Sequence, residues 1–246
     1  MTGPLAVVSG GTRGIGLAFT RRLQKLGHRV VALYRSDEEA ARQVADPGAG
    51  IHVVRADLAD PDSAAAAVDT VLSAHGTPRV LVNNAGVNID RPFLEMSVDE
   101  WRRVVDTNLS GVFYLTRGLA PAMVESGEDG SVVNIGATTG IRPRLNGANY
   151  CASKAGLLQL TKCLALELAP RIRVNCLIPG MTETEELVTR FRLDDAESRA
   201  AVLAEIPRRR IGTVDDIADA LEFLVGPGSA YMTGQKLVMD GGQFMW

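Results

Sequence analysis

The stretch Leu5-Ala6-Val7-Val8-Ser9-Gly10-Gly11-Thr12-Arg13-Gly14-Ile15-Gly16-Leu17-Ala18-Phe19 decides the fold. Its first five residues are short, Val-rich and apolar on both faces, as in a buried parallel strand, and the residues from Ile15 onward take up a helical pattern. Between them, Gly10 permits a tight turn, Gly14 lets backbone approach a pyrophosphate, and Gly16 permits close packing of helix on strand. The first helical amides then face an anion. The spacing Gly-x-x-x-Gly-x-Gly departs from the Gly-x-Gly-x-x-Gly fingerprint, and a glycine turn also serves as plain punctuation. Its place at the first strand–helix junction favours a nucleotide site that includes Thr12, Arg13 and Ile15.

Working outward, short apolar runs alternate with longer helical patterns to the end of the chain. Residues 5–9, 29–34, 51–56, 80–83, 131–135, 173–178 and 236–239 read as strands; 15–27, 38–45, 61–75, 98–125, 150–169 and 214–225 read as helices. Each helix is long enough to carry the chain to a parallel neighbour, so the expectation is a doubly wound α/β sheet of about seven strands in one domain spanning 1–246. Ser97 three before Glu100 and Thr213 three before Asp216 have capping-box spacing. Residues 180–210 break the rhythm, and an insertion at the C-terminal end of a strand is a candidate lid.

Composition narrows the function. With 46% hydrophobic and 22% charged residues in 246, a core forms without metal or disulfide help. A net charge of -3 and no long basic block argue against nucleic acid. The three cysteines, Cys151, Cys163 and Cys176, lack paired spacing and read as buried, reduced thiols. His28, His52 and His75 are scattered and form no metal cluster. No apolar run reaches the roughly 18 residues of a membrane span, so the expected location is the cytoplasm.

The end of the second strand selects the dinucleotide, because an acid there binds the ribose hydroxyls of NAD and an arginine accommodates the phosphate of NADP. The chain reads Leu33-Tyr34-Arg35-Ser36, with Asp37 following. Arg35 and Arg13 supply guanidinium donors that Ser36 extends, which favours NADPH over NADH. At the other end of the site, Tyr150 and Lys154 lie four apart on a helix, about 40° apart around its axis. A neighbouring ammonium lowers a phenol toward the range of a general acid/base, although a tyrosine packed beside a lysine is also a common structural pair.

Together the glycine turn at 9–16, Asn83-Asn84-Ala85-Gly86, Asn108, Tyr150-x-x-x-Lys154, Pro179-Gly180 and the tail Thr233-Gly234…Asp240-Gly241-Gly242 resemble the short-chain dehydrogenase/reductase family. Within it the chain is most similar in type to β-ketoacyl-acyl-carrier-protein reductases and polyketide ketoreductases. The resemblance implies a three-layer Rossmann-type fold and an NADPH-dependent reductase acting on a ketone or quinone, including a carrier-bound 3-oxoacyl group. It implies Gly10, Gly14 and Gly16 at the diphosphate, Asp57 and Leu58 at the adenine, and Asn84, Ala85 and Gly86 on the adenosine side. Tyr150 would protonate the carbonyl oxygen, Lys154 would hold the nicotinamide ribose, and Asn108 would hold a water that refills the proton. Pro179, Gly180, Thr182 and Thr184 would line the nicotinamide. A homotetramer is also implied, built through helices 98–125 and 150–169 and the C-terminal Phe244-Met245-Trp246.

One position departs from the family. Its substrate-orienting serine lies 13 residues before the tyrosine, where this chain has Ala137 in Gly136-Ala137-Thr138-Thr139. Losing one preorganised donor costs on the order of 3 kcal/mol. Three outcomes stay open: Thr138 or Thr139 supplies the hydroxyl, the substrate is easily reduced or self-assisted, or the protein is a weakly catalytic NADPH-binding scaffold. The lid carries Leu187, Val188, Phe191 and Leu193 to close over a substrate, and Pro207-Arg208-Arg209-Arg210 to meet an anion, unless that turn is merely a solvated one.

Overall fold

In the computed structural model, which describes residues 3–245, the seven strands form one parallel sheet in the order β3-β2-β1-β4-β5-β6-β7. They are β1 (Leu5–Ser9), β2 (Arg29–Tyr34), β3 (Ile51–Arg55), β4 (Pro78–Asn83), β5 (Gly130–Ile135), β6 (Ile172–Pro179) and β7 (Lys236–Met239). The helices are α1 (Gly14–Lys25), α2 (Glu38–Val44), α3 (Pro61–Thr70), α4 (Val98–Val105), α5 (Gly111–Glu125), α6 (Ala148–Glu167), α7 (Glu185–Phe191), α8 (Ala196–Glu205) and α9 (Val214–Val225). Winding reverses between β1's neighbours β2 and β4, which opens a crevice at the carboxyl ends of β1 and β4.

Strand alternation splits the core into two layers. Leu5 and Val7 of β1 join Leu115, Leu119 and Met123 of α5 on one face. Ala6 and Val8 face the other way, onto Phe19 and Leu23 of α1 and Leu221 and Leu224 of α9. Both expected capping boxes form, Ser97 with Glu100 at α4 and Thr213 with Asp216 at α9. A bidentate ion pair from Arg210 joins the Thr213 amide in holding the Asp216 carboxyl well below the usual carboxylate range.

Five expectations are corrected. The helix read over 98–125 is interrupted: α4 runs into a π turn at Asp106–Ser110 before α5 begins. α3 likewise ends in a π turn, Val71–His75, within the helix read over 61–75. Of the lid residues expected to close over a substrate, Leu193 is buried with Ile206 and Ile211 in a cluster of the lid's own, with Leu187 and Val188 packed against it, and Phe191 is exposed. Finally, Cys163 is exposed rather than buried, Cys151 is half-buried, and the rings of His52 and His75 meet at 4.6 Å instead of lying scattered. Phe244 is half-buried and Met245 exposed, while Trp246 lies outside the described residues.

Candidate active site

The glycine turn is built as its residues require. Gly10 and Gly14 adopt φ of 63° and 52°, in the left-handed region that favours glycine. A Cβ on Gly16 would stand 2.0 Å from the Gly10 carbonyl oxygen, so helix and turn touch backbone to backbone. Thr20 donates to the Gly11 carbonyl at 2.9 Å, and Ser9 Oγ accepts the amides of Asn84 and Ala85 at 3.0 Å. Asn84 itself spends its side-chain amide on the carbonyls of Ser9 and Gly10, so it braces the turn.

α1, like α5 and α6, starts with neither a side-chain cap nor an acid in its first turn. Side chains cap α2, α3, α4, α7, α8 and α9, whereas Arg13 precedes α1 with no side-chain cap bond and no acid follows in the first turn. Uncapped amides at a positive helix end, beside an open Gly14, suit a phosphate group. Thr12 is buried and Ile15 half-buried behind the turn, while Arg13 is exposed.

At the tip of β2, Arg35 and Ser36 are exposed, and the nearby acid is committed elsewhere: Asp37 accepts the Ala40 amide at 3.0 Å as the cap of α2. Asp57 accepts the Ala59 amide at 3.1 Å and pairs with Arg103 at 3.3 Å. Leu58 is buried in the core and crowds Gly111, so its side chain shapes the wall from behind.

The reacting end gathers on α6. Lys154 is 4% exposed, and its ammonium donates to the Ile135 carbonyl at 2.7 Å. Gly86 leaves the space beside it clear, since a Cβ there would come within 3.8 Å of Nζ. Burial pushes Lys154 down to about 8. Tyr150 shares this face, its ring centroid 5.8 Å from Nζ. The expected lowering of the phenol by Lys154 is reversed: dense packing pushes Tyr150 up to about 12, and Glu186 raises it further against Arg144 and Arg190. Desolvation of the phenolate outweighs the neighbouring cations.

Asn108 lies fully buried in the π turn. Its Oδ1 accepts the Val87 amide at 2.8 Å, and Nδ2 donates to the Val87 carbonyl at 2.9 Å and to Ser153 at 3.2 Å. Its side chain therefore clamps the loop after β4 rather than standing free for a water, whereas the widened turn departs from the regular i→i−4 bonding of the helix backbone.

Ala137 leaves β5 in an extended conformation, φ −152° and ψ 153°, and Thr138–Gly140 form the bend that a shifted hydroxyl needs. The turn leans on α6, where a Cβ on Gly140 would meet the Lys154 carbonyl at 2.8 Å. Thr139 Oγ1 is buried with no hydrogen-bond partner among the described residues.

Past Pro179, Gly180 packs on Asp240, and Thr182 donates to the Gly180 carbonyl at 3.1 Å. Thr184 Oγ1 caps α7 by accepting the Leu187 amide at 3.3 Å, and its methyl carbon would lie 3.6 Å from a Cβ on Gly14, which brings the base of the lid over the glycine turn. The basic turn is largely committed: Arg209 donates to the Ala204 carbonyl and Arg210 to Asp216, leaving Arg208 on a cavity of about 260 Å³ with Met181, Asp216 and Asp240.

Sequence reasoning missed the charged groups around Tyr150. Asp90, from the loop after β4, accepts from Arg144 at 2.5 Å and from Arg190 of α7, and Arg144 also reaches Asn88 at 2.7 Å. The Arg144 guanidinium lies 5.7 Å from the Tyr150 ring centroid. These partners are 54 and 100 residues apart in sequence, and no local motif marks them.

Known proteins share this fold over nearly the whole chain. The family described as enoyl-(acyl carrier protein) reductase matches residues 10–243. The chain is 37% identical over 251 residues to 3beta-hydroxysteroid dehydrogenase 1 of Eggerthella lenta, covering 100% of this chain and 95% of that protein. It is 37% identical over 245 residues to the 3-oxoacyl-[acyl-carrier-protein] reductase of Escherichia coli, covering 99% and 98%. Among solved structures, a gluconate 5-dehydrogenase from Burkholderia cenocepacia, in complex with NADP and tartrate, superposes with a TM-score of 0.89 at 33% identity, covering 99% of this chain and 96% of that one. With a seven-stranded parallel sheet, a glycine turn at its switch point and these full-length relatives, the chain belongs to the short-chain dehydrogenase/reductase family of oxidoreductases.

Proposed function

We propose that the chain is an NADPH-dependent carbonyl reductase, acting on a ketone or quinone, with Tyr150 as its proton donor. The observation that carries this reading is Tyr150 on the Lys154 face of α6, its ring centroid 5.8 Å from Nζ. At neutral pH the phenol is protonated, the form in which an acid meets a carbonyl oxygen gaining charge. When bound, the nicotinamide supplies the hydride. Gly10, Gly14 and the uncapped start of α1 would hold the diphosphate, and Lys154 beside Gly86 would hold the ribose. Arg35, with Arg13 and Ser36, would take the 2′-phosphate, a reading supported by Asp37 being spent on its helix cap. Asp57 and the backbone at Leu58 would flank the adenine, Ala85 and Gly86 the adenosine side, and Pro179 to Thr184 the nicotinamide. Proton return would pass by the π turn at Asn108, through its backbone.

The names of the relatives share an alcohol–ketone interconversion and differ in its carrier, a steroid in one and an acyl carrier protein in the other. Self-association is supported by an apolar hollow of about 470 Å³ between α5 and α6, with Phe113 and Val124 exposed on α5 and Leu166 on α6.

Tyr150→Phe tests the reading. It should keep NADPH affinity and lose roughly 10²–10⁴-fold of turnover on a panel of ketones and polycyclic quinones. Full turnover in that variant would remove Tyr150 as the acid, and NADPH binding without oxidation on any member of the panel by the unsubstituted protein would favour a scaffold role.

A further inference from the structure

Ala137 presents a methyl group where the resembling family has a hydroxyl; the buried, unpartnered Thr139 Oγ1 is one replacement beside it, and a hold on the far end of the substrate is another. Of the lid's apolar residues, Leu187, Val188 and Leu193 are used in the lid's own core, and the exposed Phe191 lies under the Arg190 guanidinium. What the lid turns toward Tyr150 is charge. Arg190 from α7 and Arg144 from the loop before α6 converge on Asp90, their side chains 30% and 27% exposed. Each guanidinium makes its bonds through Nη2 alone, Arg144 to Asn88 and Asp90, Arg190 to Asp90. The Nε and Nη1 edges of both make no hydrogen bond among the described residues. Two cations share the Asp90 carboxylate, and the second acid of the cluster is Glu186, which is solvent-exposed and bears on Tyr150 more strongly than either arginine.

We infer that Arg144 and Arg190 form a carboxylate-binding subsite beside Tyr150, and that the substrates are oxo acids whose carboxylate is held there while the carbonyl faces the phenol. This rests on the carbonyl reductase reading and names its substrate class. Arg190 keeps one two-nitrogen edge for a carboxylate, which fixes direction as well as position, while Arg144, both of whose Nη2 hydrogens are taken by Asn88 and Asp90, adds a single bond from Nε or Nη1. Anchoring the far end of a short oxo acid orients the carbonyl through binding energy gained away from the reacting atoms, which is how an enzyme offsets a missing orienting donor. Asp90 acts as a positioning residue: it draws the lid's Arg190 and the loop's Arg144 to one point, so the subsite is complete only with α7 in place.

Calorimetric titration of the NADP-saturated protein with levulinate and with methyl levulinate tests the subsite, because the pair differs in charge and the oxidised cofactor allows no reduction of the ketone. Levulinate should bind at least about tenfold more tightly, and the advantage should shrink between 0.05 and 0.5 M salt as the charge contact is screened. Arg144→Gln and Arg190→Gln should each cut the advantage about fivefold or more, through the acid alone, and Arg190→Lys should restore most of it. Equal affinities for acid and ester in the unsubstituted protein, or variants that weaken both equally, would overturn the subsite and leave a merely structural ion-pair cluster. The parent reading fails separately, by full turnover of Tyr150→Phe on a neutral ketone or by absence of NADP binding.

Discussion

The head of α1 and the lid between β6 and α9 lie on opposite sides of one crevice and are built by different means. The glycine turn is a continuous run whose contacts are backbone to backbone, such as Gly16 against the Gly10 carbonyl, and it backs onto a fully buried layer around Phe19. The lid rests on a satellite cluster of three buried residues and on ion pairs reaching across the chain to Asp90. A large shared core makes the first region rigid, and a small private core leaves the second at the low-stability end of the fold. A binding turn gains from the former, a cover that must admit substrate from the latter.

A matched pair of truncations gives the largest effect. Phe19→Ala empties a fully buried site in the layer under the glycine turn and should destabilise the whole protein by about 3–5 kcal/mol in denaturant unfolding. Leu193→Ala, 2% exposed but confined to the lid cluster, should shift the global midpoint by less than half as much while speeding proteolysis within residues 182–212. Equal shifts would mean that lid and sheet unfold as one unit.

A smaller effect belongs to the cofactor side alone. Arg35→Ala should raise the NADPH dissociation constant about tenfold, close to 1.4 kcal/mol, with NADH affinity unchanged within about twofold. A preference for NADH in the unsubstituted protein would refute the phosphate role of Arg35.

The smallest lies where the two regions meet, on α6. Lys154 sits at about 8 in the fold against an ordinary 10.5, so between pH 8 and 9 the unfolded chain holds that proton more tightly. Stability of the nucleotide-free protein should therefore rise with pH there, by about 1 kcal/mol. Above pH 9 the rise should stop, because Cys176, pushed from 9.0 up to about 11, and Tyr150, up to about 12, keep their protons longer in the fold than unfolded. Thermal midpoints of the protein and of Lys154→Met across this range measure the effect, and the variant should show no rise.

Much of the first region was legible from sequence because its determinants are local. Strands 5–9, 29–34 and 236–239 and helix 214–225 were read to the residue, since apolar runs, glycines and caps act within a few positions. The π turns were not legible: inserting one residue into a helix leaves its apolar period almost unchanged, yet it sets Asn108 against Val87. Nor was the phenol's direction of shift, because the Tyr-x-x-x-Lys spacing speaks of a neighbouring charge and says nothing about how deeply both groups are desolvated.

By itself, the sequence determined a doubly wound parallel sheet, a phosphate-ready turn at its first junction and a Tyr150–Lys154 face on one helix, because each is encoded by residues close together in the chain. Tertiary structure alone decided what stands around Tyr150. Closing the lid onto its own small core turned Leu187, Val188 and Leu193 inward and brought Arg190 to Asp90 and Arg144, an arrangement set by through-space charge and burial among segments that only folding brings together.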